Sequence, residues 1–281
     1  MFKNGWSGQI HPATTLSNSR LTIIAGPCMF ESKELGFEVA TKLKSLCAEL
    51  GFNYVFKSSY DKANRTSGNT ARGPGLERGL NWLSEVQKEL EVPVLTDVHT
   101  PGQAKEAGAV VDIVQVPAFL CDQKELLKAC AETGKVVQIK KGQHAPAEQV
   151  ISCADYVASC GNTKILLCER GTSFGYNNLV VDYRNLVLMN RSGYATVFDG
   201  THAAQLPGAG RGQSSGLRDM VPSLCAAAVA VGIHALFMEV HPSPNKALSD
   251  ASTQVDFATA EQILGNISNL FSTEVHKQHF R

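Results

Sequence analysis

Four residues far apart in the sequence carry side chains that commonly bind transition metals. Cys28 follows the apolar run at 21–24, His202 and Glu239 lie at the ends of two later apolar runs, and Asp250 lies in the loop after the last. Thiolate, imidazole and carboxylate together suit Zn, Fe, Co or Mn better than Mg or Ca, which prefer oxygen ligands. The alternative for Cys28 is a small buried core residue.

Basic residues form a second group with possible chemistry. The segment FKSSYDKANR supplies Lys57, Lys62 and Arg65, and later segments supply Lys140, Lys141 and Arg170. If these cations converge, they predict a small, strongly anionic ligand that carries phosphate and carboxylate groups. The alternative is that each lysine is an ordinary solvated residue at the end of a strand.

Composition excludes several classes of protein. The 281 residues are 43% hydrophobic and carry 26 basic and 26 acidic side chains, so no global field attracts nucleic acid or an anionic membrane. No apolar stretch approaches the roughly 20 residues of a membrane helix, and the N-terminus lacks a secretory pattern. The eight cysteines include no CxxC pair, which excludes a zinc ribbon of that type and indicates a reduced interior. We therefore expect a cytoplasmic protein.

These residues must be positioned by a repeated strand and helix pattern. Short β-branched runs predict strands at 21–26, 54–59, 92–99, 112–119, 136–142, 164–171, 196–202 and 235–242. Segments with apolar residues three and four apart predict helices between them, at 31–50, 75–90, 122–134 and 216–232 among others. The alternation permits an open doubly wound sheet or a closed (β/α)8 barrel.

The barrel explains the pattern better. Polar residues cluster where nearly every predicted strand ends, and a barrel gathers all eight strand ends at one face, where such enzymes keep their active sites. The first strand is also not followed by a GxGxxG turn. We predict one (β/α)8 TIM barrel domain over 21–281, preceded by an N-terminal extension over 1–20. The glycine-rich loop 206–216 after His202 is either a lid over the site or an ordinary flexible βα loop.

At these motifs the sequence resembles the 3-deoxy-D-manno-octulosonate 8-phosphate synthase (Kdo 8-phosphate synthase) family. The segments AGPC, FKSSYDKANR, TDVH, QVPAFLC, IKKGQ, ERGTSFGYNNLVVD, FDGTHAAQLPG and FMEVHPSPNKALSDAST match its signature blocks in order, from about Leu21 to Thr253. The resemblance implies a TIM barrel, usually a homotetramer. It also implies a lipopolysaccharide biosynthetic enzyme that condenses phosphoenolpyruvate with arabinose 5-phosphate and releases inorganic phosphate.

The resemblance also implies roles for individual residues. Lys140 and Arg170 are expected at the phosphoenolpyruvate phosphate, beside the backbone of Ala118 and Phe119. Lys62 and Ser59 are expected at its carboxylate, with Lys57 and Gln115 nearby. The pentose phosphate is expected at Asn64, Arg65 and Thr66, and the catalytic group comprises Lys57, Lys62, Asp97 and His99. The identity of a general base stays open, since preorganised charge should matter more than any single base.

The metal-dependent branch of that family has cysteine where the other branch has asparagine, and this sequence has Cys28. With His202, Glu239 and Asp250 in the other ligand positions, the resemblance implies one divalent transition metal ion, and Asp199 is expected to orient the His202 ring. Asp122 stands where the family usually has an arginine that reaches a neighbouring subunit's sugar phosphate, and Arg72 and Arg211 are candidates to replace that arginine. A sister synthase that uses another aldose therefore remains an alternative, as does a barrel that binds phosphorylated ligands without turnover.

Overall fold

Eight parallel strands close into a barrel in the computed structural model, which describes residues 1–62, 72–210 and 213–271. The barrel strands are β1 (Thr22–Gly26), β2 (Asn53–Lys57), β3 (Val94–Asp97), β4 (Ile113–Val116), β5 (Val136–Lys140), β6 (Ile165–Glu169), β7 (Ala195–Asp199) and β8 (Ala235–Glu239). Neighbours in sequence pair in order, and β8 closes the ring on β1 with Glu239 opposite Gly26. The predicted (β/α)8 TIM barrel is confirmed.

Helices follow the strands and surround the barrel. They are α1 (Lys33–Glu49), α2 (Leu76–Leu90), α3 (Pro101–Gly108), α4 (Lys124–Glu132), α5 (Ala147–Ser159), α6 (Arg184–Arg191), α7 (Val221–Val231) and α8 (Phe257–Phe271). Local capping fixes some of their starts: the Ser32 hydroxyl accepts from the Leu35 amide at α1, and Thr100 accepts from the Gln103 amide at α3. Among the described residues, no helix combines the length and apolar character that crossing a membrane requires.

Smaller elements lie at the two ends of the barrel. Short antiparallel pairs join Gln9–His11 to Thr14–Thr15, Thr172–Ser173 to Leu179–Val180, and Gln205–Gly210 to Gln213–Gly216. A short α-helix spans Gly200–Ala203, and 3-10 turns span Lys3–Gly5, Ala118–Leu120, Arg218–Met220 and Pro244–Lys246. The glycine-rich loop after His202 is thus mostly a β-hairpin.

Two apolar layers hold the barrel together. The larger layer lies between strands and helices and includes Ile23, Val39 and Leu43, each with no exposed surface. The smaller layer joins inward-facing side chains such as Ile24 and Val55 to Trp6 and Leu16 of the N-terminal segment. The apolar interior leaves polar side chains to occupy the opposite end, where the strands terminate.

Seven of the eight predicted strands extend two or three residues too far at their C-terminal ends. The strand predicted at 112–119 ends at Val116, and Ala118 lies in a 3-10 turn closed by the Leu120 amide and the Pro117 carbonyl. The strand predicted at 196–202 ends at Asp199, whose carboxylate caps the short helix that carries His202. The ladder ends because the chain turns outward at the rim, and these turns point the polar side chains into the barrel mouth.

Candidate active site

A cavity of about 270 Å³ opens at the C-terminal end of the barrel. Its walls come from the ends of most strands and from the loops that follow them. The lining residues are Lys57, Ser59, Lys62, Asp97, His99, Gln115, Pro117, Ala118, Phe119, Lys140, Arg170, His202, Gln205, Ser249 and Asp250. The structure therefore brings most of the predicted substrate-binding, catalytic and metal-binding residues to one place.

Cys28 lies beside the cavity-lining residues Ser249 and Asp250, two positions after the glycine that ends β1. A Cβ atom at Gly26 would lie 2.1 Å from the Lys57 carbonyl oxygen, so the backbone approach excludes any side chain there. The Cys28 thiol is fully buried and lies 3.0 Å from the Ser249 Oγ atom and 3.4 Å from the Asp250 Oδ2 atom. Ligand atoms of Cys28, Glu239 and Asp250 lie within 4.8 Å of one another.

His202 completes this group, and Asp199 holds it in place. Asp199 Oδ1 accepts a hydrogen bond from the His202 amide at 2.9 Å, and Asp199 Oδ2 lies 2.8 Å from His202 Nδ1. The other ring nitrogen, Nε2, lies 3.5 Å from Asp250 Oδ2 and 3.8 Å from Glu239 Oε1. The four predicted metal ligands thus lie next to one another, and Asp199 makes the predicted contact with the His202 ring.

The electrostatics of this group fit a divalent cation. Burial and the charges of Asp250 and Glu239 raise the pKa of the Cys28 thiol well above its usual range. Glu239 Oε2 is buried and has no hydrogen-bond partner among the described residues. A metal ion would satisfy that oxygen and favour the thiolate, because its own charge is the largest in such a site. The donor set suits Zn, Fe, Co or Mn.

Two of the four cavity cations are committed to buried ion pairs. Lys57 Nζ lies 2.9 Å from Glu239 Oε1, and Lys140 Nζ lies 2.5 Å from Asp199 Oδ2. Burial alone would raise the pKa of Asp199, but His202 and Lys140 hold it well below its usual range. These lysines therefore neutralise Glu239, itself a predicted metal ligand, and Asp199, which contacts the predicted ligand His202.

Among the residues that the structure describes, the other two cations, Lys62 and Arg170, form no such ion pair with a carboxylate. Lys62 Nζ donates to Ser59 Oγ at 2.9 Å. Arg170 is 4% exposed; its Nη2 donates to Gln205 Oε1 at 2.7 Å, whereas its buried Nη1 has no hydrogen-bond partner among the described residues. Burial lowers the pKa of Arg170. Nη1 is an unused, desolvated donor at the cavity wall, which is the feature expected of an anion site.

Glu169 fixes the direction of Arg170 from behind. Its fully buried carboxylate accepts hydrogen bonds from the backbone amides of Arg170 and Gly171, at 2.8 and 2.6 Å, and from Asn185 Nδ2 at 2.8 Å. Lys141 lies 3.5 Å from the same carboxylate. The turn after β6 is thereby fixed, so the guanidinium needs little reordering to bind an anion.

Ser59, Asp97 and His99 form a hydrogen-bonded row across the cavity floor. The Ser59 hydroxyl donates to Asp97 Oδ1, and His99 Nε2 lies 3.3 Å from Asp97 Oδ2. Burial opposes both charges, but the mutual interaction raises the pKa of His99 and, with Lys62, lowers that of Asp97 well below its usual range. The row can hold a proton next to a ligand bound above it.

One expectation about the cations is wrong. Lys141 does not reach the cavity: its ammonium group is fully buried among the carbonyls of Gly142, Ala145 and Gly171. Burial lowers its pKa despite Glu169. The residue follows the end of β5, and its side chain points away from Lys140 because successive residues of an extended chain alternate.

Some residues are placed outside the cavity or outside the described chain. Asn64, Arg65 and Thr66, expected at the sugar phosphate, lie outside the described residues, as does Arg211. Asp122 is exposed and accepts a hydrogen bond from Gln149 at 3.3 Å. Arg72, considered as a replacement for the missing arginine, is exposed and paired with Asp61.

Three residues that line the cavity were not predicted from the sequence. Pro117 lies within the predicted strand 112–119, Gln205 follows the end of the predicted strand 196–202, and Ser249 directly precedes Asp250. Position next to a predicted ligand was the available signal. Two larger clefts, of about 620 and 810 Å³, lie beside Arg184 and beside the N-terminal segment. The smaller cavity remains the candidate site because it alone of the three contains the buried ion pairs and the predicted ligands.

Comparisons with known proteins show which family and which relatives the chain is similar to. A model of the DAHP synthetase I family matches residues 12–273. The chain is 50% identical over 259 residues to a 2-dehydro-3-deoxyphosphooctonate aldolase of Xanthomonas campestris pv. campestris, covering 92% of this chain and 93% of that protein. It is 49% identical over 244 residues to the protein of the same name from Albidiferax ferrireducens, covering 85% and 86%.

Proposed function

The chain belongs to the DAHP synthetase I family, and we propose that it condenses phosphoenolpyruvate with arabinose 5-phosphate to 3-deoxy-D-manno-octulosonate 8-phosphate and inorganic phosphate. It is then a transferase of lipopolysaccharide biosynthesis, and its relatives carry the name 2-dehydro-3-deoxyphosphooctonate aldolase. The observation that carries the proposal is the buried cationic cavity, in which Arg170 Nη1 has no hydrogen-bond partner among the described residues and Lys62 donates to the neutral Ser59 hydroxyl. Such donors match a ligand that carries phosphate and carboxylate groups.

Phosphoenolpyruvate is placed by its two charged ends. Its phosphate contacts Arg170 Nη1 and Lys140, beside the backbone at 118–119, and its carboxylate takes over the hydrogen bond that Lys62 now donates to Ser59. Arg170 is held by Glu169 and Gln205, so the phosphate position is fixed before the substrate arrives. Lys57 and Gln115 border the same volume.

The acceptor sugar lies above phosphoenolpyruvate, towards the cavity mouth. Asn64, Arg65 and Thr66 are proposed to bind its phosphate because they follow Lys62 directly in sequence. C3 of the enol then forms a bond with the aldehyde carbon while water adds to C2, and cleavage of the C2–O bond releases phosphate. The aldehyde oxygen gains a proton in this step, and the Asp97–His99 pair on the floor can hold one at His99 Nε2.

We propose that Cys28, His202, Glu239 and Asp250 hold one divalent transition metal ion, Zn, Fe, Co or Mn. The ion supplies a Lewis-acid charge at the cavity mouth when it is bound. Asp199 keeps the His202 ring in position, and the Lys57 ion pair orients Glu239. Residues 1–20 are an extension that packs on the far end of the barrel through Trp6 and Leu16, and 21–281 form the catalytic domain. We further propose a cytoplasmic homotetramer.

The test is a direct assay of the purified protein with phosphoenolpyruvate, arabinose 5-phosphate and Mn²⁺ or Zn²⁺. Equimolar phosphate release and a product with the mass of the eight-carbon keto sugar phosphate are expected. Folded, metal-loaded protein that releases no phosphate would refute the activity and favour a barrel that binds ligands without turnover.

The second candidate is a sister synthase with another aldose, and Asp122 favours it because an acid replaces the arginine expected at the sugar phosphate. A panel of four- to six-carbon aldoses, with and without phosphate, separates the two. A kcat/KM that is highest for an aldose other than arabinose 5-phosphate would establish the sister reaction. Size-exclusion chromatography with light scattering tests the tetramer, and metal analysis of protein purified without chelator tests the ion.

A further inference from the structure

Gln254 is a buried amide beside the metal ligands that the proposed function does not use. It has no exposed surface, and its side chain connects two loops that are 226 positions apart in sequence. Gln254 Oε1 accepts a hydrogen bond from the Cys28 amide at 3.0 Å, and Gln254 Nε2 donates to the Ser249 carbonyl at 2.7 Å. The first contact is on the proposed ligand Cys28, and the second is on Ser249, which directly precedes the proposed ligand Asp250.

The chemistry of the two contacts requires a carboxamide. The Cys28 amide can only donate and the Ser249 carbonyl can only accept, so the bridging group must accept at one atom and donate at the other. A glutamate side chain satisfies the first contact only and adds a negative charge next to the thiol, Asp250 and Glu239. An apolar side chain of the same size satisfies neither and leaves two buried backbone groups unpaired.

The backbone around Gln254 joins it to the remaining carboxylate ligands. The Gln254 amide donates to the Asp250 carbonyl at 3.1 Å, which closes a turn in which Asp250 adopts a left-handed conformation with φ of 46°. The next residue, Val255, donates its amide to the Glu239 carbonyl at 3.0 Å. One short segment therefore contacts the backbone at or beside Cys28, Glu239 and Asp250.

A left-handed conformation is unfavourable for a residue with a side chain, so Asp250 needs surrounding contacts to hold it. A second hydrogen bond joins the Asp250 loop to the Cys28 loop, since Glu31 Oε1 accepts from the Leu248 amide at 2.8 Å. Glu31 belongs to the loop that carries Cys28. Both connections join the same pair of loops, and of the two it is the connection through Gln254 that contacts Cys28 itself.

We propose that Gln254 is a positioning residue of the metal centre. Its side-chain amide fixes the Cys28 loop against the Ser249–Asp250 turn, so that the thiol and the carboxylate already lie within binding distance of one ion before the ion binds. The inference rests on the proposed metal site and goes beyond it. Gln254 touches neither substrate nor metal. Its effect is to reduce the reordering that metal binding requires, and partners of this kind change metal affinity by roughly 10–100-fold.

The experiment compares the full-length parent with Gln254→Met, which keeps the side-chain volume and removes both hydrogen bonds. Gln254→Glu keeps the acceptor for the Cys28 amide. Gln87→Met is the matched control, because Gln87 Nε2 donates to Asp112 Oδ2 at 2.8 Å away from the candidate site. Circular dichroism establishes that each variant is folded. Co²⁺ titration of metal-free protein, followed by the thiolate-to-cobalt charge-transfer band, gives the affinity and reports the Cys28 bond.

For Gln254→Met we expect Co²⁺ affinity weaker by roughly 10–100-fold, with a smaller effect for Gln254→Glu and none for Gln87→Met. Alkylation of Cys28 in the metal-free Gln254→Met protein, measured afterwards on the peptide that contains Cys28, should be about tenfold faster than in the parent. This is the change expected when one buried hydrogen bond no longer holds the loop closed. Parent-like Co²⁺ affinity and alkylation in Gln254→Met would overturn the proposal, as would equal losses in Gln87→Met. If the parent showed no charge-transfer band, the metal assignment would fail, and the alkylation comparison would still decide the role of Gln254.

Discussion

Arg170→Lys is the substitution that tests the phosphate site most directly. The change keeps a positive charge at the end of β6 but replaces a planar fork of donors with a single ammonium group. The two terminal nitrogens of Arg170 differ in their contacts. Nη2 donates to Gln205 Oε1 at 2.7 Å, whereas Nη1 has no hydrogen-bond partner among the described residues. A lysine cannot bond Gln205 and the substrate in the same geometry.

The size of the effect follows from the burial of Arg170, which is 4% exposed. A hydrogen bond to a charged group is worth about 1.5–3 kcal/mol, and one such bond to the phosphate is lost in the lysine variant. We therefore expect kcat/KM for phosphoenolpyruvate to fall roughly 10–150-fold, since each 1.4 kcal/mol is a factor of about ten. The KM for the aldose should change less, because Arg170 is assigned to the other substrate.

Initial rates of phosphate release, with each substrate varied in turn, measure this split. Arg184→Lys is the control: Arg184 is exposed and pairs with Asp182 outside the cavity, so its replacement should leave both KM values unchanged. Inhibition by inorganic phosphate should weaken in parallel with the KM for phosphoenolpyruvate. An unchanged KM for phosphoenolpyruvate in folded Arg170→Lys would refute the assignment of Nη1 to its phosphate.

Three further predictions concern stability and the metal. Lys141→Met should lower the free energy of unfolding by about 3–5 kcal/mol in urea titrations, because it leaves the buried Glu169 charge without its partner; a Glu169→Gln change in the same chain should recover part of the loss. The pKa of His99 is raised and that of Asp97 is lowered. Their interaction therefore stabilises the fold fully between the ordinary pKa values of about 3.9 and 6.5. This stabilisation is lost as the pH rises through the raised pKa of His99 or falls through the lowered pKa of Asp97. The stability difference between parent and His99→Gln should therefore be largest near about pH 5–6 and shrink at alkaline pH. Chelation should lower the melting temperature, since a ligand at a hundredfold excess over its Kd stabilises the native state by about 2.7 kcal/mol, and Cys28→Ala should abolish that difference.

The ring of polar residues was predictable because it depends on local patterns. Alternating strands and helices are visible in the sequence, and closure of a barrel brings every strand end to one face whatever the loops do. Cys28, Asp97 and Glu239 could therefore be assigned to one region without knowledge of any contact between them. The predicted strand ends were less accurate, because hydrophobicity does not mark the residue at which the ladder stops and the rim turn begins.

Contacts between loops remote in sequence were not predictable. Lys140 and Lys141 are adjacent and identical in type, yet one lines the cavity and the other is buried behind the strands against Glu169. Their difference depends on the residue at which β5 ends and on the partner that each lysine meets. Gln254 is a further case, since nothing in its own sequence neighbourhood indicates a contact with Cys28.

The balance of charge in the site explains why, among the described residues, several of the predicted cations lie in ion pairs. Four cations of the cavity meet four buried or half-buried carboxylates across the barrel mouth: Lys57, Lys62, Lys140 and Arg170 against Asp97, Asp199, Glu239 and Asp250. A cavity with only cations would repel a divalent metal, and one with only carboxylates would repel phosphoenolpyruvate. Interleaving the two signs lets one small volume hold a metal ion and a highly charged anion together. Under the proposed function, the requirement for both ligands, rather than for phosphate alone, accounts for lysines that lie in ion pairs at the site.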